Sequence, residues 1–138
     1  RKAIEAHILK PYITMFEGSS TDINIVNQVK NEIKENETVL IFLDSNHTKE
    51  HVLKELELYS SLVSKNSYIV AMDGIMENVV GAPRTQPDWN WNNPKQAALE
   101  FVKNNPDFEI VEPEFEFNEG TVKNRVTYWP SAFIKKIK

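Results

Sequence analysis

VLIFLDSNHTKEHVLKELELY, residues 39 to 59, changes its hydrophobic period in mid-course. Val39 to Leu43 is a near-continuous run of β-formers, the pattern of a strand covered on both faces and so of a parallel sheet. After Lys49, the residues Val52, Leu56, Tyr59 and Val63 recur at helical spacing and form one apolar stripe. Between strand and helix stand Asp44, Ser45, Asn46 and His47: a carboxylate at the strand tip with an imidazole three residues on. A strand that leads through a polar turn into a helix is half of a strand–helix–strand unit. In such sheets ligands gather at the carboxyl ends of the strands.

The same grammar continues on either side. YITMF (Tyr12 to Phe16) has the composition of a strand, and EGSSTD after it can cap a helix from Asp22 to about Glu35, with Ile25, Val26, Val29 and Ile33 on its apolar face. SYIVAMD (Ser67 to Asp73) is a second apolar strand that ends in a carboxylate. A loop from Gly74 to Asn93 carries Pro83, Pro87, Trp89 and Trp91. In NNPKQAALEFVKNNP, Asn93 is placed to cap a helix with Pro94 at its first position and Ala97, Ala98, Phe101 and Val102 as its buried stripe. Two alternating strands, Phe108 to Phe117 and Val122 to Trp129, are predicted to form a hairpin turning at Asn118 to Gly120. The terminal IKKIK reads as a solvated tail. The order predicts an α/β sandwich, mostly parallel, with an antiparallel edge.

The chain opens RKAIEAHILKPY, with Ile4, Ile8 and Leu9 on one helical face until Pro11 stops the run. Residues 1–138 are therefore expected to be a single domain that forms the C-terminal part of a longer one. The chain has 138 residues, 41% hydrophobic and 26% charged, with a formal charge of -4. That balance suits a soluble domain and gives no basic footprint for nucleic acid. No apolar run approaches a membrane span, and no signal-peptide pattern is present, so a cytoplasmic location is the default expectation. Zero cysteines exclude a disulfide framework, a thiolate metal site and a cysteine nucleophile. A homo-oligomer is compatible with all of this.

Several residues can carry chemistry. Asp44 and Asp73, at consecutive strand tips, have the hard oxygens that suit a divalent cation such as magnesium, or they cap the turns that follow. His47 is placed to act as a general base beside Asp44. With His51 it forms an HxxxH pair that resembles a zinc site, but Thr48 stands where zinc peptidases have a glutamate. Thr48 is also a plausible N-cap, which leaves His47 off the helix and His51 as an ordinary exposed residue. Glu17, Gly18, Ser19 and Ser20 can hydrogen-bond a nucleoside, with Gly18 admitting a planar base, or simply form a turn and cap. PDWNWNNP holds Trp91, Asn92 and Asn93 as a candidate substrate wall; the alternative is a loop whose indoles fold back onto the core.

FEGSSTD, LDSNHTKEHVLKELELYSSLVSKNSYIVAMD and NNPKQAALEFVKNNPDFEI resemble the cephalosporin hydroxylase and rhamnosyl O-methyltransferase family, from about Glu5 to Ile110. The resemblance implies a Rossmann-like methyltransferase fold, S-adenosylmethionine as cofactor, and methyl transfer to an oxygen of a sugar or small natural product, often with bound magnesium. Asp44 and Asp73 match acidic metal-site positions; Met72 stands where the family commonly has another acidic residue. Glu17 to Ser20 match the segment near the adenine. The family's glycine-rich turn and ribose-binding acidic residue would lie upstream, together with two strands that normally separate Tyr12–Phe16 from Val39–Leu43. The strand at Tyr12–Phe16 must then dock directly on its neighbour or stand across a gap, and the gap is the favoured expectation. A hydroxylase or hydroxylase subunit and a non-catalytic α/β module are the rival readings. By this reading, calorimetric titration of the chain with S-adenosylmethionine yields no measurable heat, and tight binding would overturn it.

Overall fold

The computed structural model describes residues 2–112 and 127–138. Its centre is the unit foreseen from residues 39 to 59. β1 (Ile41–Leu43) and β2 (Tyr68–Ala71) pair in parallel with Leu43 opposite Ala71, and the helix between them in sequence will be called α3 (Lys49–Tyr59). Two helices precede it, α1 (Lys2–Glu5) and α2 (Ile23–Glu32), and α4 (Pro94–Asn104) follows. The caps are those the sequence indicates. Asp22 accepts a hydrogen bond from Asn24 N–H at 2.8 Å, and Asn93 accepts one from Gln96 N–H at 3.0 Å. Thr48 occupies the N-cap position of α3 with extended backbone but makes no side-chain cap bond. Instead the Lys49 N–H donates to Asn92 Oδ1 at 2.8 Å, from the far loop.

The remaining strands, β3 (Phe108–Ile110) and β4 (Phe133–Lys136), complete a four-stranded sheet of order β1-β2-β4-β3. β4 lies between β2 and β3 and is antiparallel to both. The sheet is therefore mixed, with one parallel pair among the described strands, rather than mostly parallel. The tail expected to be solvated is a central strand. Ile134 is fully buried and faces Ile69 and Ile110 across the ladders. Lys136 also explains the misleading charge: its ammonium lies over the Phe108 ring, 5.9 Å from the centroid, and donates to the carbonyls of Val63 at 3.0 Å and Ser60 at 3.3 Å just past the end of α3. A long basic side chain can bury its methylenes while its charge meets helix-terminal carbonyls. The strand predicted over Val122 to Trp129 is not seen at residues 127–129; its remainder and the hairpin turn fall outside the described residues.

Tyr12 to Phe16 forms no strand. Pro11 sits in a 3-10 turn over Lys10–Tyr12, Tyr12 is 86% exposed, and Thr14 reaches Glu32 of α2 rather than β1. β-formers become a strand only where a partner offers ladder bonds and a surface to pack on. No such ladder with β1 exists, and among the described residues β1 is paired on the β2 side alone.

Helices α3 and α4 cover one face of the sheet. Leu43, Ile69, Ala71 and Ile134 meet Val52, Leu56, Ala97, Ala98 and Phe101 there, and Phe101 packs edge-on against Phe108 at 5.1 Å. The opposite face carries a groove of about 300 Å³ lined by Leu40, Phe42, Tyr68, Val70, Val111 and Phe133. No described helix is long and apolar enough to cross a membrane.

The strand assignment of the C-terminus separates two substitutions four residues apart. Ile134→Ala should cost roughly 2–5 kcal/mol, as a cavity at a sheet centre does, while Lys138→Ala should change stability by less than about 0.5 kcal/mol. Urea melts compare them; a neutral Ile134→Ala would return this segment to a loose tail.

Candidate metal centre

The parallel register sets the site. Leu43 and Ala71 are level, so Asp44 and Asp73 emerge from neighbouring strand ends on the same edge of the sheet. Asp73 has left-handed backbone, φ 61 and ψ 27, at the start of the 3-10 turn Gly74–Asn78. Such a conformation is uncommon outside glycine, though aspartate tolerates it better than most residues. Gly74 follows because there is no room for a side chain: a Cβ would stand 2.9 Å from the Pro130 carbonyl and 3.0 Å from Lys95 Cβ.

His47, in the loop before α3, lies between the carboxylates. Its Nε2 is 3.3 Å from Asp44 Oδ1 and 3.6 Å from Asp73 Oδ2. One potential ligand atom from each of these residues falls within 4.8 Å of the other two. The two carboxylates offer the hard oxygens that suit magnesium or manganese, while the imidazole is a borderline donor of the kind zinc and iron also take. The carboxylates are partly open to solvent, with side-chain exposures of 57% for Asp44 and 42% for Asp73.

His47 and Asp73 also line a cavity of about 430 Å³, together with Asn46, Thr48, Ile75, Met76, Val79, Trp89 and Tyr128. Ile75, Met76, Val79, Trp89 and Tyr128 give it an apolar and aromatic wall. The indole in that wall is Trp89; Trp91 is 59% exposed and lines a different hollow with Lys49 and Glu100. Asn92 and Asn93 are used by the fold. Asn92 holds the Lys49 N–H and donates to Asp88 at 2.7 Å, while Asn93 is fully buried, caps α4 and donates to the Trp89 carbonyl at 2.8 Å.

The Glu17–Ser20 loop approaches the same sheet edge. Ser20 Oγ lies 3.5 Å from Ser45 Oγ and 3.2 Å from His51 Nε2. Gly18, with φ 155, has a packing reason: a Cβ would stand 2.7 Å from Ile25 Cδ1. His51 is part of this second network and supplies no atom to the Asp44–His47–Asp73 group. Its Nε2 is 3.2 Å from Ser45 Oγ and 3.5 Å from Glu55 Oε1, so the HxxxH pair is split between two clusters. Glu55 accepts from Ser45 at 2.7 Å and is 1% exposed, with a second oxygen that has no partner among the described residues.

The family model described as Rhamnosyl O-methyltransferase/CmcI matches residues 1–137. The chain belongs to this family. It is an O-methyltransferase family, and the match runs past Ile110, where the recognisable motifs fade, through β4. No curated protein and no solved structure matches the chain. Sequence reasoning missed two features of this family member. Trp89 looked no different from Trp91, since choosing between them needs the fold of the loop. Glu55 lies on the buried stripe of α3, between Val52 and Tyr59, and could have been noticed there as a carboxylate at a core position.

The cavity wall is fastened to α4 by Glu77, which takes hydrogen bonds from Lys95 and Gln96. Burial by itself would raise the Glu77 carboxyl, but those two hydrogen bonds and the Lys95 charge outweigh it and hold the group below its ordinary value. A carboxyl depressed on folding stabilises the folded state above its unfolded pKa, and the contribution is lost as pH falls through the folded pKa. Glu77→Gln should therefore be less stable than the parent at neutral pH but lose less stability on acidification below the ordinary glutamate range. Thermal melts from pH 7 to 3 test this; parallel curves for the two proteins would remove the pairing from the acid response.

Proposed function

We propose that this chain serves S-adenosylmethionine-dependent O-methylation of a hydroxyl on a sugar or small natural product, assisted by a divalent ion held by Asp44 and Asp73. Family membership supports the methyl transfer, and the convergence of Asp44, His47 and Asp73 within 4.8 Å at the sheet edge carries the metal assignment. The β1–α3–β2 unit beneath them is compatible with a Rossmann-like methyltransferase sandwich.

When bound, a divalent ion fixes an acceptor hydroxyl and lowers its pKa toward neutrality. S-adenosylmethionine supplies the methyl group from a sulfonium centre. The protein's part is to hold and to accept. Asp44 and Asp73 provide the negative charge and the oxygens that retain the cation. His47 Nε2 has one lone pair, so it serves as base or as ligand but not both at once; we assign it the proton from the acceptor, with Asp44 orienting the ring. Glu17 to Ser20 are assigned to the nucleoside, because Ser20 is tied to Ser45, the residue after Asp44. The substrate wall passes from Trp91, Asn92 and Asn93 to Trp89 and its apolar neighbours. An iron-type triad of His47, His51 and Asp44 is disfavoured, since His51 faces Ser20, Ser45 and Glu55.

In the methyl-transferring enzyme, Asp44→Asn should lower kcat far more than it weakens cofactor binding, since acceptor activation acts in the transition state. His47→Ala should slow turnover by roughly 10²-fold. Unchanged turnover of Asp44→Asn, with or without a chelator, would overturn the metal role.

A further inference from the structure

The metal cavity has a neighbour. Thr48, which lines the cavity at His47 and Asp73, also lines a separate hollow of about 390 Å³ shared with Lys49, Glu50, Trp91 and Glu100. Trp91 is 59% exposed there, although an indole is among the largest apolar surfaces a fold can bury. Nor is the indole exposed because its loop is slack. The Trp91 and Asn92 N–H groups both donate to the Asp88 carbonyl, at 3.0 and 2.7 Å, Asn92 donates to the Asp88 carboxylate, and the Lys49 N–H donates to Asn92 Oδ1. Asn93, fully buried, ties the same turn to α4. The backbone around Trp91 is thus pinned, so little ordering is needed when a ligand covers the ring.

The polar groups of the hollow select among ligands. Lys49 Nζ lies 2.6 Å from Glu100 Oε2, joining α3 to α4, and Glu50 adds a second carboxylate to the lining. One ammonium already matched by a carboxylate, with a further carboxylate around the same space, disfavours phosphates and acidic groups. A wholly apolar ligand would cover the indole but strip water from the ion pair without replacing its hydrogen bonds. A lysine carries three donors and a carboxylate two acceptor oxygens, so the pair keeps both kinds of group for a ligand after its own contact is made. A sugar ring matches both halves of the hollow: its hydroxyls donate and accept, and its C–H faces suit the electron-rich face of an indole.

Resting on the reading of a sugar hydroxyl at the metal centre, we propose that the Trp91 hollow is a carbohydrate subsite and that the acceptor is a glycan of more than one unit. The unit to be methylated lies in the cavity at His47 and Asp73. Its neighbour crosses Thr48 and stacks on Trp91, with hydroxyls on Lys49 and Glu100. Thr48 suits the crossing, since its side chain makes no cap bond to α3. Trp91 touches no reacting atom; it favours an extended acceptor over a single sugar, because a second linked contact joins at high effective concentration.

The test needs no methyl donor. The probes are the methyl glycosides of glucose, galactose, mannose and rhamnose, and methyl disaccharides of the same sugars in α and β linkage. Each is titrated into the full chain at saturating magnesium, with the indole N–H resonances followed by nuclear magnetic resonance and that of Trp91 assigned by its loss in Trp91→Phe. Manganese affinity is measured separately by electron paramagnetic resonance. At least one disaccharide should move the Trp91 resonance and bind roughly tenfold more tightly than its methyl monosaccharide. Trp91→Ala should abolish that advantage and leave manganese affinity unchanged, while Trp91→Phe, which keeps a ring at this exposed position, should retain most of it. An absent advantage, or one that survives Trp91→Ala, overturns the proposal; so does a Trp91 resonance that moves with protein concentration alone, which would mean that a second copy covers the hollow. A chain that takes up manganese but shows no disaccharide advantage loses the subsite and keeps the metal centre. A chain that binds disaccharides through Trp91 but takes up no manganese keeps the subsite and loses the metal centre.

Discussion

A hydrogen bond from the Met72 N–H to the Leu43 carbonyl, 3.1 Å long, carries the parallel ladder of β1 and β2 to the threshold of the two aspartate loops. It makes Met72 level with Asp44, so Asp73 lies one residue further along. Side chains alternate faces along a strand, and a strand prolonged through Asp73 would send its carboxylate to the face opposite Asp44. The left-handed conformation at Asp73 breaks that alternation and brings its oxygen to His47. Backbone strain of this kind costs on the order of 1–3 kcal/mol for residues other than glycine and persists where the surroundings over-determine it. Here they do: Gly74 is packed against Pro130 and Lys95, with no space to relax.

This explains how far the site was legible. Asp44, His47 and Asp73 could be named from strand ends and a polar turn, because apolar runs that stop at a carboxylate mark the edge of the sheet where ligands bind. The convergence of the two aspartates could not be read, since it depends on a one-residue offset and a local dihedral. The concern that Met72 replaces an acidic residue also changes character. The third group beside the two carboxylates is His47, a residue that sequence spacing placed near Asp44 but could not place near Asp73.

The fold was legible where local signals sufficed and misread where pairing decided. Asp22 and Asn93 cap their helices, and the period change at residues 43–49 marks a real strand-to-helix passage. Tyr12–Phe16 and Phe133–Lys136 show the opposite case. The first has better β-composition yet gains no ladder, whereas the second is lysine-rich yet lies between β2 and β4's other neighbour, β3. What separates them is the availability of partners on both sides, a property of the whole sheet. Lys136 satisfies its charge on carbonyls beyond the end of α3, so the usual argument from charge to solvent fails at that residue.

The buried network at Glu55 ties these parts together. Glu55 and His51, both on α3, hold Ser45, and Ser45 and His51 in turn reach Ser20. The Ser20 loop is thereby fixed to the residue that follows Asp44, and both are fixed to the helix that packs on the sheet. Burying a carboxylate is costly unless its oxygens are satisfied, and Glu55 carries that cost with one oxygen lacking a described partner. An apolar residue would pack in its place without that cost but could hold neither Ser45 nor His51. Glu55 also contributes, after burial itself, to raising the pKa of Tyr59 one turn on, so its charge is felt within the core. The helix that supplies the fold's central stripe thus also fixes the Ser20 loop relative to the Asp44 loop.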